Sequence, residues 1–380
     1  MKPTGTKIMP EQTNEGTVKC ASPLTGAANA FEKHWFCVSL STNGSVTMQD
    51  ADSPECFLKE LKDSLLAWVD YRTADYEKDV RIGAVALGFS TQLVDALAGN
   101  PRLLYEDYTI ETGIKLPSIQ IRVNNEINVQ NYSTLLLLRR NFILTIHPIL
   151  VDRRFIRLRR YSETIFKKVP LDICAEDKLT TLLIRIIDQN NDRNFEHLRQ
   201  IEGRGDELNK SLMDPETPRA LLGPQIYNMK HALITYLDAL WETVDVLHDL
   251  RYGDAELLTN DTSLLNRLGY LADDVSRQIG LAEHMSEVLA SGLEVLQSIY
   301  NNQLQAMNNR IALLMTYLTV LGTAVLVPNT LATVFSNSAF AMGPQDLGWY
   351  VTLLVLSTVV STVLAFVWVK KSGFIPRKMD

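Results

Sequence analysis

The chain has 380 residues, 46% of them hydrophobic and 21% charged, with a formal net charge of −7. That length exceeds a usual single domain of about 100–200 residues, so a sizeable soluble core and a further part are expected. Charge is spread very unevenly: between Arg310 and Asp346, and again from Leu347 to Val369, there is no Lys, Arg, Asp or Glu, which argues against a wholly soluble chain.

In chain order, residues 1–30 are rich in Thr, Gly, Pro, Lys and Glu with few large apolar side chains, the composition of a disordered tail without the apolar core of a secretory signal. Residues 31–170 read as a cytoplasmic α/β domain of α+β type. Strand-like runs at HWFCVSLS (His34–Ser41), RIGAVALGF (Arg81–Phe89), PSIQIRVN (Pro117–Asn124), YSTLLLLRR (Tyr132–Arg140) and NFILTIHP (Asn141–Pro148) alternate with helical stretches such as FLKELKDSLLAWV (Phe57–Val69). No Gly-rich phosphate loop, nucleophile elbow or His/Cys cluster occurs, so neither an enzyme nor an organic cofactor is expected. His34, His147, His197, His231, His248 and His284 stand singly and read as structural or exposed. Cys20, Cys37, Cys56 and Cys174 show no metal-ligand spacing and are expected as thiols in a reducing compartment.

Residues 171–310 read as a helical stalk or funnel. Leu179–Leu208 and Gln225–Leu250 carry apolar residues three and four apart, with Pro215 and Pro218 between them. Asp261, Thr262 and Ser263 are N-cap candidates. From there Leu264, Leu268, Leu271, Val275, Met285, Leu289, Leu296, Met307 and Ile311 hold helical spacing, with no Pro until Pro328. The spacing predicts one helix of roughly 65 residues or more, about 100 Å at 1.5 Å per residue. One small domain cannot cover it, so it is expected to pack against copies of itself.

The charge-free stretches divide into a first membrane span at 311–335, an external loop at 336–347 and a second span at 348–369, followed by a basic cytoplasmic tail at 370–380. Lys370, Lys371, Arg377 and Lys378 follow the second span while the loop carries only Asp346, which places both termini in the cytoplasm of a cell-membrane protein. Asn309, Ala312, Thr316, Thr319, Thr323, Leu326, Thr330, Thr333 and Asn337 are spaced alternately three and four apart, and seven of the nine are Thr or Asn. They form one helix stripe, which fits a wet pore at the centre of an oligomer, with Leu326 as an apolar constriction. The other reading of the stripe is that its hydroxyls bond back to their own helix and serve packing.

Several segments together resemble the CorA-type divalent-cation channels, over most of the chain from about residue 80. RRNFILTIH (Arg139–His147) is similar to that family's GKNFLITVH, and LVDALAGNPRLLYEDY (Leu93–Tyr108) to its RPRVEEYEDY segment. MNNRIALLMTYLT (Met307–Thr319), PNTLATVF (Pro328–Phe335) and MGPQDLGW (Met342–Trp349) resemble NNRINDVMKMLT, PLTFIAGIY and the outer-loop MPELRW. The resemblance implies a homo-oligomer, a pentamer, whose first span lines a central pore for divalent cations, Mg²⁺ foremost. It places Met315, Leu318 and Val327 at the pore with Thr319 and Thr330, and puts Ala312 where the family has a pore Asn.

The family's Gly-Met-Asn signature is absent. Asn337, Ser338 and Ala339 stand in its place, so Ser336, Asn337 and Ser338 would form the polar ring at the mouth that holds a hydrated ion. The resemblance also implies a regulatory cation between subunits at Asp95 and Asp273, with Asp274 adjacent. Transport of Zn²⁺, Co²⁺, Ni²⁺ or a broader set, with or without proton coupling, and a non-conducting membrane-anchored assembly remain the other readings. Partners are expected to be further copies of the chain, the bilayer and metal ions, with no nucleic acid.

Overall fold

A computed structural model of the chain describes residues 35–99, 102–123, 127–214, 217–253, 257–336 and 343–371. The tail at 1–30, Cys20, His34, Pro215, Arg377 and Lys378 lie outside the described residues. The chain divides into two units, Met1–Gly292 and Leu293–Asp380.

The first unit is built on a mixed sheet. Strands β1 (Trp35–Ser41) and β2 (Val46–Ala51) form a hairpin. Its turn needs Gly44, which sits at φ 79°, where a Cβ is strained. Helix α1 (Leu58–Asp63) leads into β3 (Ser64–Thr73), which is followed by α2 (Tyr76–Ala86), α3 (Thr91–Leu97), β4 (Leu103–Glu106), β5 (Glu111–Val123), β6 (Ile127–Arg139) and β7 (Phe142–Pro148). The strand order is β2-β1-β3-β7-β6-β5-β4. Strands β3 and β7 pair in parallel, and the other pairs among the described residues are antiparallel.

Central strands read as unbroken apolar runs because both their faces are covered. Leu135, Leu136, Leu137 and Leu138 of β6 are all buried. On one face Trp35, Val69, Leu137 and Leu144 pack with Ala84 and Leu87 at the end of α2 and with Leu93 and Leu97 of α3. On the other, α4 (Asp152–Lys167) packs on β1 and β2, and its Phe155 stacks on His147 of β7 at 4.6 Å.

Two sequence readings are corrected here. The run Arg81–Phe89, expected as a strand, falls largely in α2. Glu77 and Asp79 favour a helix start in its first turn, and Gly88 at φ 87° ends the turn that follows. Gly83 lets this helix close on the stacked pair Trp35–Tyr71, whose rings are 3.9 Å apart; an added Cβ would meet both at 3.1–3.2 Å. The stretch Phe57–Val69, expected as a helix, is helical only to Asp63 and then becomes β3. Asn141 draws the chain across at this point, its side-chain amide donating to Leu61 O at 2.6 Å and its carbonyl accepting from Ala67 N at 2.8 Å.

Gly113 of β5 shows how tightly this face is filled. A Cβ there would collide with Leu97 Cδ1, so Gly113→Ala is expected to cost about 1–3 kcal/mol through overpacking. Chemical denaturation would measure it, and a loss under about 0.5 kcal/mol would mean that α3 simply moves aside.

Below the sheet face that carries α4 lies a buried charge network. Asp70 of β3 is fully buried; Thr145 Oγ1 donates to its Oδ1 at 2.5 Å and Arg159 Nη1 to its Oδ2 at 2.9 Å, while His147 Nε2 lies 3.2 Å from Oδ1. Asp152 joins Arg72 at 3.4 Å and also pairs with Arg159. His147 is thus structural, as expected. Cys37 is a buried free thiol, pushed up by burial and then by Glu60, and Cys174 is an exposed one. Cys56 is disulfide-bonded, which corrects the thiol expected there from a reducing compartment.

Three further helices, α5 (Ala175–Asn191), α6 (Asn194–Met213) and α7 (Arg219–Tyr252), follow. The break between α5 and α6 falls at Asp192 and Arg193, inside what periodicity had joined. Helix α8 (Thr262–Phe335) then runs for 74 residues, about 110 Å at 1.5 Å per residue. Asp261 caps it, its Oδ2 accepting from Leu264 N at 3.3 Å. Leu268, Ala272, Val275, Ile279 and Leu289 are its buried stripe in the first unit.

In the second unit α8 continues through Pro328 to Phe335, and α9 (Leu347–Lys371) follows. Only 6% of the apolar window of α8 and none of that of α9 is buried. Core helices of a soluble protein bury such residues; these present them outward, as spans in lipid do. The two helices meet at Ala324, which is 3% exposed and whose carbonyl accepts from Ser361 Oγ at 2.8 Å. Phe335 closes the far end against Trp349 and Tyr350 at 6.0 and 6.2 Å.

Candidate ion pathway

The threonine stripe sits on one continuous helix, as its spacing requires. Thr316 and Thr319 donate to the carbonyls of Ala312 and Met315, each at 2.8 Å, and Thr323 to that of Thr319 at 2.9 Å. Further along, Thr330 donates to Leu326 O at 3.0 Å and Thr333 to Asn329 O at 2.7 Å. These are the back-bonds that the packing reading anticipated. They do not remove the oxygens from use, because a hydroxyl has one hydrogen and two lone pairs. With the hydrogen spent on the helix, each Oγ1 can present only an acceptor to its surroundings, and that is what a cation requires.

The contact with α9 sets the orientation. At 3.6 residues per turn, Met315, Leu326 and Thr333 fall within about 20° of the direction opposite Ala324. Met315 and Leu326 are 61% and 59% exposed. Asn309, Leu318, Thr319, Val327 and Thr330 are also exposed, while Thr316 is half-buried. Thr316, Thr319 and Thr323 additionally border a groove of about 330 Å³ whose far wall is Ala365 and Trp368 of α9. Sequence reasoning missed that groove because the few Ser and Thr of α9 form no stripe that would orient it. Asn329, an exposed amide on the same span, was also passed over, since it lies off the three-four spacing.

Ser336 ends the described part of α8, its N–H donating to Ala332 O at 2.9 Å. Asn337 and Ser338 lie outside the described residues. Asp95, on α3, pairs with Arg81 at 3.2 Å; Asp274 pairs with Arg277, and Asp273 is exposed. Among the described residues of one chain, no group of three or more His, Cys, Asp or Glu is placed to hold a metal.

A family model described as CorA-like Mg²⁺ transporter protein matches residues 63–371. The chain belongs to the CorA-like Mg²⁺ transporter family. A search of curated proteins by sequence found no match. Among solved structures, the complete CorA magnesium transporter from Methanocaldococcus jannaschii is similar with TM-score 0.62 at 18% identity, covering 90% of this chain and 99% of that one. The full-length CmaX protein gives 0.58 at 14% identity over 89% and 99% of the two chains. The ZntB cytoplasmic domain from Vibrio parahaemolyticus RIMD 2210633 gives 0.52 at 16% identity, over 71% and 99%. At these identities the likeness is one of fold: a mixed α/β part, a long helix and two apolar C-terminal helices. The protein is therefore a membrane-embedded CorA-family divalent-cation transporter with two C-terminal transmembrane helices, and not an enzyme.

Proposed function

We propose that the chain assembles as a closed homopentamer and passes divalent cations, Mg²⁺ foremost, through a central pore lined by the membrane part of α8. The observation that carries this reading is the row of back-bonded threonines, whose oxygens are left as acceptors on a span without formal charge. Neutral oxygens can contact a hydrated cation and release it. Asn309, Met315, Thr316, Thr319, Thr323, Leu326, Val327, Thr330 and Thr333 belong to this lining, and Ser336, Asn337 and Ser338 to the outer mouth. Both termini are cytoplasmic, the basic residues after α9 holding that end inside. Asp95 of one subunit and Asp273 with Asp274 of the next form the regulatory cation site, where a bound ion bridges carboxylates that otherwise repel.

Flux of Mg²⁺ into liposomes containing the purified protein tests transport, and competition by Co²⁺, Ni²⁺ and Zn²⁺ tests selectivity. Thr319→Val keeps the side-chain shape and deletes the hydroxyl. Flux per oligomer is expected to fall about tenfold, the equivalent of about 1.4 kcal/mol on the barrier, with the oligomer's melting unchanged. If instead the hydroxyl serves packing, melting falls by about 0.6–2 kcal/mol at constant flux, and the threonine row leaves the mechanism.

A further inference from the structure

Helix α4 carries five arginines, and the fold treats them in two ways. Arg154 and Arg159 turn inward: Arg154 is 3% exposed and donates to the carbonyls of Ile119 and Asn190, and Arg159 binds Asp70 and Asp152. Arg153, Arg157 and Arg160 turn outward onto one face, spaced four and three apart. Arg193, at the α5–α6 break, joins them. Together with Tyr161 these four arginines line an open groove of about 440 Å³. Of the four, Arg157 alone has a carboxylate within ion-pair distance among the described residues, Asp192 at 3.5 Å.

The positive field of this region is felt by its neighbours. His197 is pushed down to about 4, by burial first and then by Arg154 and Arg193. Arg154 is itself lowered to about 10, by burial first and with Arg193 contributing. Like charges three or four residues apart on a helix are destabilising, and Asp192 answers only Arg157 among the four, so the face gains from an anion.

A second cavity of about 400 Å³ abuts the first, sharing Arg157 and Tyr161 as a common wall. Its lining is mixed: Asp188, Asp192, Gln189 and Thr164 stand beside Lys168 and Arg185, above Leu158 and Ile165. One side therefore suits phosphates, which guanidinium groups bind bidentately. The other, with carboxylates and cations side by side, suits a body that both donates and accepts hydrogen bonds, as a nucleobase does, with an exposed Tyr161 ring between the two cavities for stacking. The two volumes together fall in the range of small-ligand sites.

We propose that these joined cavities bind a nucleoside polyphosphate, its phosphates on Arg153, Arg157, Arg160 and Arg193, its ring on Tyr161 and its amino or hydroxyl donors toward Asp188 and Gln189. The site lies within the first unit and stands independently of which ion is carried.

Isothermal titration calorimetry on the full-length protein in detergent and metal-free buffer tests this with ATP, ADP and inorganic tripolyphosphate. ATP is expected to bind more tightly than tripolyphosphate. The double variant Arg160→Gln/Arg193→Gln should weaken both ligands about tenfold or more, and Tyr161→Ala should weaken ATP while leaving tripolyphosphate unchanged. All three positions are exposed or half-exposed, so folding is not at risk, and an unshifted thermal melt without ligand checks it. Absence of ATP binding, or binding indifferent to the arginine pair, would overturn the site. Equal affinity for ATP and tripolyphosphate, both insensitive to Tyr161→Ala, would overturn the nucleotide assignment.

Discussion

Replacing Asp70 by Asn is expected to destabilise the first unit by about 3–5 kcal/mol, the usual cost of breaking a buried ion pair by removing one partner. The carboxylate is 0% exposed and receives Thr145 and Arg159 while facing His147. Asparagine keeps the shape but removes one of the two carboxylates that pair with Arg159 among the described residues, and sets His147 against a neutral amide. Burial by itself raises the Asp70 carboxyl; the neighbouring His147 and the Arg159 guanidinium, with the hydrogen bond from Thr145, outweigh it and hold the group below the ordinary carboxylate range. The sign of the pH dependence follows. A carboxyl lowered in the folded state stabilises fully above its unfolded value of about 3.9 and loses that contribution as pH falls through the lowered value. Wild type should therefore lose stability below about pH 4, and Asp70→Asn should lack that share of the acid dependence while starting lower. Trp68 reports on the site directly, because its Nε1 donates to Thr145 Oγ1 at 3.0 Å. Urea unfolding of the detergent-solubilised protein, followed by tryptophan emission at pH 7 and at about pH 3, measures both parts. A loss below about 1 kcal/mol at neutral pH would show that the network is not a coupled unit.

Much of the fold was legible because it rests on local pattern. The apolar runs in β6 and β7 announce strands buried on both faces, and the long stripe from Leu264 onward announces α8, with Asp261 capping its start. The two misread segments depend on contacts distant in sequence. Ser64–Val69 becomes a strand because Asn141 and β7 pair with it, some seventy-five residues away, and Gly83 sits in a helix because it must pass over Trp35 and Tyr71. The candidate site divides in the same way. Spacing alone places the threonines on one face, since that is a property of a single helix. Where α9 lies against that face depends on Ala324 and Ser361, two small residues with no periodic signal, and on the bulk of Trp368. The arginine groove was hidden for a related reason: α4 shows five arginines in sequence, and packing alone decides that two face inward.

Leu326 carries the larger prediction for transport. Its side chain is 59% exposed and points away from the Ala324 contact with α9, in a row otherwise supplied with hydroxyls. In the proposed pentamer it forms an apolar ring that resists wetting, which is a barrier to a hydrated ion. Leu326→Asn should replace that ring with amides and raise flux at low driving force by about tenfold, corresponding to about 1.4 kcal/mol off the barrier. Val325, 55% exposed, lies one residue and about 100° around the helix, so Val325→Asn is the matched control. There the amide faces lipid or a neighbouring helix, and the expectation is unchanged flux per oligomer with lower yield or melting temperature, since a polar group in hydrocarbon is costly. Measuring unit flux and oligomer melting on both variants separates direction from polarity. Should the two behave alike, α8 does not turn its Met315–Leu326–Thr333 face to the ion, and the groove shared by Thr316, Thr319 and Thr323 with Trp368 becomes the path to test in its place.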